Sequence, residues 1–395
     1  MRILMLNYEF PPVGGGAANA NRRFLEELAR RDEFAVDLVT SSASNRFECE
    51  PFADGIRVFR LDVGKRDVHH WRTSEIARWT WGAYWCSRRL LGENRYDLCH
   101  CWSGWPAGVI GYLHRKKLPY IVALRGSDVP GANPRLGTLD KSLIPFISRR
   151  VWSAARAVTA LSRYSANMAR HTLDCGIQVI YNGFDTERFS PAPDFDEIAS
   201  RAVRLLTVSR LSVNKGTEHV IRATRLLVDR YPDRDVRLTV VGSGFLGDEL
   251  KTLTGELGLG EHVRFLGVRP HEALPQIYRG HDIFILASLH EALGNVIQEA
   301  IASGLAVITT ETGSAELIDG NGLIVRKRDA ADIAAKVAGL IDDEERLAAF
   351  KRRSVELART RSWARCCDEY VDLYRRALAR SAPVGGAGPA DEPEP

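Results

Sequence analysis

The fold of this chain is decided by residues 290–300, His-Glu-Ala-Leu-Gly-Asn-Val-Ile-Gln-Glu-Ala, which follow the apolar run Ile-Phe-Ile-Leu-Ala-Ser at 283–288. The apolar run predicts a buried strand. The turn at 293–295, followed by apolar residues at helical spacing, predicts a strand that leads into a helix. Ligands bind at the carboxyl ends of strands in parallel α/β sheets, so we expect a binding site at this turn.

Two glutamates in this stretch, Glu291 and Glu299, indicate what the site binds. If the span were wholly helical, their backbones would lie about 12 Å apart along the axis, too far to share one small group. They suit the two ends of an elongated ligand, with an anion between them facing N–H groups at the helix N-terminus. These N–H groups belong to Ala292, Leu293, Gly294 and Asn295. A nucleotide diphospho-sugar has this form; the alternative is an amphipathic helix with ordinary surface glutamates.

Composition narrows the class of protein. The chain has 395 residues, 45% of them hydrophobic, which predicts a globular protein large enough for two domains. A net charge of +4 is small for this length, so we expect no nucleic-acid partner. Seven cysteines without framework, metal-ligand or thioredoxin spacing predict reduced thiols in a cytosolic protein.

The sequence also bears on the membrane. The N-terminus lacks the apolar core and cleavage site of a signal peptide, and we find no apolar run near the roughly 18 residues that cross a bilayer. We therefore predict a cytoplasmic protein that meets a membrane, if at all, from one side. Residues 71–91 predict a helix rich in tryptophan and arginine, residues favoured at lipid headgroups. The alternative, which we favour, is a core-packing helix with solvated arginines.

The first half begins with a strand at 2–6, a glycine loop at 14–16 and a helix at 17–30, the first unit of a doubly wound fold. Gly15 and Gly16 let the backbone come close to a phosphate. The loop does not fit G-x-G-x-x-G, so a dinucleotide cofactor is not indicated. A flexible turn is the alternative for the three glycines.

Arg125 and Asp128 follow the predicted strand at 120–124 directly. A strand-end loop that carries a cation and a carboxylate is a candidate acceptor contact. An aspartate that caps the next turn is equally consistent with the sequence.

A linker-like segment at 190–196 separates two series of alternating strands and helices, the second beginning with a strand at 204–208. The alternation predicts two Rossmann-like parallel-sheet domains facing each other across a cleft. We place the first domain at residues 1–190 and the second at 191–362, followed by a helix at 363–380 and a disordered tail at 381–395. Asp194 and Asp196 resemble a metal-binding pair, but they lie in the linker rather than at a strand end, so we predict no metal site.

Arg210 and Lys215 follow the strand at 204–208, in a loop closed by Gly216. Transfer from a nucleotide sugar breaks the glycosidic C–O bond and builds negative charge on the leaving diphosphate, which fixed cations stabilise. One unit charge at about 4 Å, with an effective dielectric constant near 20, contributes roughly 4 kcal/mol. Surface salt bridges are the alternative reading of this pair.

Together these motifs resemble glycosyltransferase family 4, a family of retaining enzymes with the GT-B fold. The resemblance covers about residues 1–378 and is more specific in the second half. It rests on motifs that occur in the family's order: the glycine loop at 14–16, Asn182-Gly183-x-Asp185, Arg210-x4-Lys215-Gly216, the turn Gly242-Ser243-Gly244, and Glu291-x7-Glu299 with Gly304 after it.

The resemblance implies a role for each motif. Arg210 and Lys215 would hold the donor diphosphate, Glu299 the ribose, and Glu291 with the backbone of 292–295 the transferred sugar. The glycines at 15, 16, 242 and 244 would line the donor site. The helix at 363–380 would cross back to the first domain. Many family members carry a histidine at the position of Arg125, which leaves the acceptor contacts of Arg125 and Asp128 open.

The sequence thus predicts a retaining, metal-independent glycosyltransferase that moves a hexose from a UDP- or GDP-linked sugar to a hydroxyl acceptor. The product would belong to cell-surface polysaccharide or glycolipid synthesis, and a lipid-linked acceptor would bring the enzyme into peripheral contact with the inner face of the membrane. We expect no cofactor besides the donor. The alternatives are a nucleotide-sugar epimerase of similar fold and a non-catalytic subunit.

Overall fold

The computed structural model describes residues 1–68, 71–131, 142–195 and 202–379. It divides into two compact units, one formed by 1–182 with 363–395 and the other by 183–362. The predicted boundary after residue 190 therefore differs from the observed one. Residues 183–190 join the second unit because the Phe184 N–H donates to the Arg361 carbonyl at 2.7 Å and Phe189 packs against Tyr278. The predicted tail at 381–395 lies outside the described residues.

The first unit is built on an eight-stranded sheet in the order β3-β4-β2-β1-β5-β6-β7-β8, parallel except for the β3–β4 pair. Its strands are β1 (Arg2–Leu6), β2 (Ala35–Ser41), β3 (Glu48–Ala53), β4 (Ile56–Leu61), β5 (Leu98–Cys101), β6 (Tyr120–Leu124), β7 (Ala157–Ala160) and β8 (Gln178–Val179). Its helices are α1 (Gly16–Leu28), α2 (Thr73–Glu93), α3 (Ala107–His114), α4 (Leu143–Ser153) and α5 (Arg163–Arg170), with the C-terminal helix α12 (Trp363–Ala379).

The second unit has a six-stranded, wholly parallel sheet in the order β11-β10-β9-β12-β13-β14. Its strands are β9 (Ala202–Val208), β10 (Asp235–Val241), β11 (Val263–Gly267), β12 (Ile283–Leu286), β13 (Ala306–Thr310) and β14 (Gly322–Val325). Its helices are α6 (Thr217–Arg230), α7 (Gly247–Glu256), α8 (Leu274–Arg279), α9 (Asn295–Ala302), α10 (Ala330–Ile341) and α11 (Glu344–Thr360). The predicted class, α/β with two Rossmann-like parallel-sheet units, is confirmed.

The sequence missed one strand, β3. Its side chains are exposed or half-buried, and Pro51 interrupts it, so it lacks the apolar run that marks the central strands. It pairs with β4 through a turn at Asp54-Gly55, where Gly55 has a φ of +73°. An Asp-Gly turn between strand-forming residues is a hairpin signal and was the available clue.

Helix α2 has a buried face and an exposed face. The buried face agrees with the core-packing interpretation of the tryptophan-rich segment, and contact with a membrane stays a prediction. Trp79 is completely buried in the core of the first unit, as the core-packing interpretation expects. Trp81 and Trp85 are 69% and 46% exposed, and the Arg88 guanidinium lies 5.2 Å from the Trp85 ring. No disulfide joins the seven cysteines.

Helix α12 completes the core of the first unit although it follows the second unit in the chain. Tyr370 and Tyr374 are buried against α1 and the sheet, in the cluster that contains Phe24. The His100 Nδ1 lies 2.7 Å from the Tyr374 hydroxyl, and Arg31 forms an ion pair with Asp368 at 2.7 Å. Within the described parts of the chain, no helix is both long and apolar enough to span a membrane.

Candidate functional site

In the second unit, the predicted donor residues converge at one edge of the sheet. Strands β10, β9, β12 and β13 are neighbours and parallel, so the loops that follow them emerge side by side. These loops carry, in that order, the turn 242–244, the segment 209–216, the segment 287–294 and the turn at Gly313. The Leu211 N–H donates to the Ser243 carbonyl at 2.9 Å, which joins the first two loops.

The glycines of these loops are required by packing between backbones. Gly242 has a φ of +124°, and a side chain there would collide with the carbonyl oxygen of Ser209. At Gly244 a side chain would collide with the Leu211 carbonyl, and at Gly216, whose φ is +65°, with the Ala287 carbonyl. Loop packing thus accounts for glycine at 242 and 244 whether or not these residues also line a donor site.

Lys215 and Glu291 meet at this edge. The Lys215 Nζ forms an ion pair with the Glu291 Oε2, and each side chain is only 16% exposed. The sequence predicted both residues at the site but not their direct pairing. Each side chain neutralises the charge of the other, so a ligand that binds one of them must also accommodate the other.

Asn214 fixes the two loops that carry this pair, and sequence reasoning missed it. Its Nδ2 donates to the His290 carbonyl at 2.9 Å, and its Oδ1 accepts from the His290 N–H at 3.1 Å. Its backbone carbonyl accepts from the Leu289 N–H at 2.8 Å. Nothing in the sequence distinguishes this asparagine from an ordinary loop residue, because its partners are distant in the chain.

Glu299 is held by a chain of hydrogen bonds that the sequence also missed. The Tyr278 hydroxyl donates to its Oε2 at 3.0 Å, and the His271 Nε2 lies 3.2 Å from its Oε1. The Arg188 Nη1 lies 2.6 Å from the His271 Nδ1. Since an arginine can only donate, Nδ1 accepts and Nε2 carries the proton that it donates to Glu299. Burial, together with the Glu299 charge, raises the pKa of Tyr278, which keeps the phenol protonated as a donor.

The two glutamates therefore have different surroundings, one facing a cation and the other facing donors. Helix α9 begins only at Asn295, so Glu291 lies in the preceding turn, and the wholly helical span considered from the sequence is not formed. Gly294 precedes the helix with a φ of +76°, and the Ser314 hydroxyl donates to the Leu293 carbonyl at 3.0 Å. The positive end of the helix dipole lies at this turn.

Arg210 is exposed, and its side chain makes no hydrogen bond or ion pair to the residues that the structure describes. It follows β9 by two residues, at the same sheet edge as the Lys215–Glu291 pair. A cation without a protein partner at the carboxyl ends of parallel strands is available to an anionic ligand.

The remaining predicted residues lie in the first unit. Gly15 and Gly16 stand at the start of α1, and a Cβ at Gly15 would have nothing within 4 Å. Packing does not require glycine at 15, which contrasts with Gly242. Asp128 is buried, and its carboxylate accepts from the backbone N–H groups of Gly104 and Arg125.

Asp128 thus joins two strand-end loops, which is a structural role different from the predicted cap of the next turn. Burial raises its pKa despite these two hydrogen bonds. A contact of Asp128 with an acceptor stays a prediction. Within the described ranges, no three His, Cys, Asp or Glu side chains are grouped so that they could hold a metal ion. Of the linker pair, Asp196 lies outside those ranges.

Two family models match the chain. The model described as Glycosyltransferase Family 4 matches residues 14–188, and the one described as Glycosyl transferases group 1 matches residues 202–343.

Curated relatives resemble the chain over nearly its full length. The D-inositol 3-phosphate glycosyltransferase of Corynebacterium jeikeium is 34% identical, over 95% of this chain and 96% of that protein. The GDP-mannose-dependent alpha-(1-6)-phosphatidylinositol monomannoside mannosyltransferase of Mycolicibacterium smegmatis is 28% identical, over 88% of this chain and 91% of that protein. Among solved structures, sucrose-phosphate synthase from Thermosynechococcus elongatus superposes with a TM-score of 0.81 at 20% identity, over 96% of this chain and 99% of that one.

Proposed function

The chain belongs to glycosyltransferase family 4, and we propose that it transfers a hexose, with retention of configuration and without a metal ion, from a UDP- or GDP-linked sugar to a hydroxyl acceptor. The observation that carries the proposal is the grouping of Arg210, Lys215 and Glu291 at the carboxyl edge of one parallel sheet. Cations and a carboxylate side by side suit a ligand that is anionic at one end and carries hydroxyls at the other.

In the proposed reaction the bond between the sugar C1 and the diphosphate oxygen breaks, and its electron pair stays on the diphosphate. The acceptor oxygen forms the new bond to C1 on the same face, and its proton passes to the leaving diphosphate. Arg210 and Lys215 stabilise the charge that develops there. Lys215 leaves Glu291 for the diphosphate, and the freed carboxylate accepts hydrogen bonds from sugar hydroxyls.

Glu299 would accept the ribose hydroxyls of the donor. Tyr278 and His271 supply one donor to each of its oxygens, which fixes the plane of the carboxylate before the nucleotide binds. A preoriented carboxylate loses little freedom on binding, and this favours affinity. The name of the Mycolicibacterium relative includes GDP-mannose. The ligand panel described below therefore includes GDP-linked as well as UDP-linked sugars.

We place the reaction in the synthesis of a cell-surface polysaccharide or glycolipid, at the cytoplasmic side of the membrane. Both relatives are named for inositol-based acceptors, one of them a phosphatidylinositol mannoside. Peripheral contact with the membrane is supported by Trp81 and Trp85, which project from α2 beside Arg88.

The test is the thermal stability of the purified chain with a panel of nucleotides and nucleotide sugars, in the presence of a chelator. A ligand at 100 times its Kd that binds only the folded state adds about 2.7 kcal/mol to the free energy of unfolding. We expect one nucleoside diphosphate to raise the melting temperature with chelator present, and Arg210→Ala to remove the shift. A panel without any shift would contradict the proposed donor site.

Consumption of the donor that requires an added acceptor would then distinguish transfer from epimerisation. An epimerase would convert the nucleotide sugar without an acceptor.

A further inference from the structure

Arg125 is a cation at the carboxyl edge of the first sheet that forms no ion pair with the residues that the structure describes. It follows β6 directly and is only partly exposed. Asp128 lies three residues further along the chain. Its two carboxylate oxygens accept hydrogen bonds from the backbone N–H groups of Gly104 and Arg125. No carboxylate among the described residues lies within ion-pair distance of the guanidinium. A half-buried charge without a counter-ion is costly unless a ligand supplies one.

The guanidinium is nevertheless held in one place. Its centre lies 4.5 Å from the centroid of the Trp102 ring, and its Nη2 donates to the Asn182 Oδ1 at 2.6 Å. Trp102 is itself fixed, because it is buried and its backbone N–H donates to the Leu6 carbonyl at 2.9 Å. A charge positioned by an aromatic face and a neutral amide keeps its full positive value.

This position coincides with the point where the order of strands reverses. The chain adds β2 on one side of β1 and later adds β5 and then β6 on the other side, so the order reverses between β1 and β5. Ligands of parallel α/β sheets bind at such a switch point, outside the carboxyl ends of the strands. Leu6 ends β1 and Trp102 follows β5, so the ring on which the Arg125 guanidinium stacks lies beside the switch point between these two strands.

Two buried donors at this position have no partner. The Nε of Arg125 and the Nε1 of Trp102 are both buried and make no hydrogen bond to the residues that the structure describes. His100, whose ring lies 5.0 Å from that of Trp102, adds no negative charge. Burial, and then the charge of Arg125, lower its pKa to about 3 and keep it neutral.

We propose that Arg125 binds a phosphate ester on the acceptor, so that the acceptor class of this enzyme is anionic. The inference rests on the proposed transferase function and names the substrate class of its acceptor side. A guanidinium presents several donors in a planar fork that matches phosphate oxygens, and the stacking on Trp102 and the hydrogen bond to Asn182 fix the orientation of this fork. The phosphate belongs either to a soluble phosphorylated polyol or to a lipid headgroup.

The test measures binding of inorganic phosphate by calorimetry, in chloride buffer and in an Arg210→Gln background that removes one donor-site cation. Adding Arg125→Gln is expected to weaken phosphate binding by about ten- to a hundredfold, the loss of a hydrogen bond to a charged group. Arg115→Gln is the matched control, because Arg115 also stacks on an aromatic ring of the first unit, 3.8 Å from the centroid of Tyr112.

Equal phosphate affinity in the Arg125→Gln and Arg115→Gln proteins would overturn the proposal, and so would a background protein that binds no phosphate. Arg125→Lys keeps the positive charge but not the planar guanidinium, so it is expected to retain part of the phosphate affinity. Partial retention would show that the loss in Arg125→Gln is not caused by misfolding. Nucleotide binding by the wild-type chain is measured separately. Its absence would refute the proposed function whatever the phosphate result.

Two further probes separate the sources of the phosphate. Glucose 6-phosphate that competes with inorganic phosphate, with no competition from glucose, would assign a soluble ester. Arg125-dependent sedimentation with vesicles of phosphatidylcholine and phosphatidylinositol would assign a lipid headgroup. Either result supports an anionic acceptor, while glucose that competes as well as glucose 6-phosphate would contradict it.

Discussion

Single side chains decide the chemistry of the second unit. Lys215 and Glu291 form an ion pair, although the function proposed for each is contact with a different part of the donor. A donor diphosphate would therefore compete with Glu291 for Lys215, and the sequence motifs do not reveal this competition. In the proposed reaction, the pair keeps both charges satisfied until a diphosphate replaces the carboxylate as the partner of the lysine.

Lys215→Met is expected to lower kcat by up to about a thousandfold. A unit charge at about 4 Å from the leaving diphosphate contributes roughly 4 kcal/mol at an effective dielectric constant near 20, and each 1.36 kcal/mol is a factor of ten in rate. Steady-state kinetics with saturating donor measures it, with Lys251→Met on the exposed surface of α7 as the control. An unchanged kcat with a raised KM would show that Lys215 only adds binding.

His271→Asn is expected to weaken binding of a nucleoside diphosphate about tenfold, because Glu299 loses a donor that orients it. Binding of inorganic pyrophosphate, which has no ribose, should not change, and calorimetry measures both ligands. His271→Gln can place an amide N–H near the position of Nε2 and should restore most of the affinity. Equal losses for pyrophosphate and nucleotide would mean that His271 supports the fold rather than the ribose site.

Among the elements, α12 shows how a C-terminal helix can complete a core formed by the first part of the chain. Its contact with β5 is polar as well as apolar, since the buried His100 meets the Tyr374 hydroxyl. This histidine makes the first unit sensitive to acid. Its pKa is lowered to about 3 in the folded protein, chiefly by burial, against about 6.5 in an unfolded chain.

The sign of the pH effect follows from proton binding. Between pH 6.5 and 3 the unfolded state binds this proton and the folded state does not, so the free energy of unfolding falls as the pH falls through that window. The slope from this one group is at most about 1.4 kcal/mol per pH unit. In the His100→Asn variant, the free energy of unfolding should depend less steeply on pH, by the equivalent of about one bound proton. Urea unfolding at pH 7, 6, 5 and 4 measures this dependence.

All eight tryptophans lie in the first unit, so tryptophan emission reports its unfolding. Identical slopes in the wild type and the His100→Asn variant would contradict the assignment of this titration to His100.

At the scale of the whole molecule, the exposed face of α2 is the surface that we propose contacts a membrane. Helix α2 buries Trp79 and leaves Trp81 and Trp85 exposed beside Arg88, which combines apolar area with positive charge. Such a face suits an anionic bilayer surface, and the attraction between charges weakens as salt rises.

The double variant Trp81→Ala/Trp85→Ala should weaken sedimentation with vesicles that contain anionic lipid by about tenfold. Phe245→Ala is the control, since Phe245 is 75% exposed in the second unit. Vesicle binding unaffected by the double variant would rule out α2 as the membrane contact. The wild type should also bind less at 0.5 M salt than at 0.05 M.

Much of this protein was determined by local sequence. Continuous apolar runs predicted the central strands, which are buried on both faces, and apolar residues at helical spacing predicted the long helices, which are buried on one face. The glycine turns and the cations after β9 predicted the sheet edge where we propose that the donor binds, since strand-end loops carry ligands in this class of sheet. The half-exposed strand β3 was missed because it has neither an apolar run nor a regular alternation of apolar and polar residues.

Tertiary structure alone decided which of these residues are partners. Lys215 meets Glu291 across 76 positions, His271 meets Glu299 across 28, and His100 meets Tyr374 across 274. Local sequence carries no record of such pairs, because they depend on the order of strands in the sheet and on how each loop packs on the next. Glycine at 242 was visible in the sequence, but that it avoids a collision with the Ser209 carbonyl became apparent only in the folded backbone.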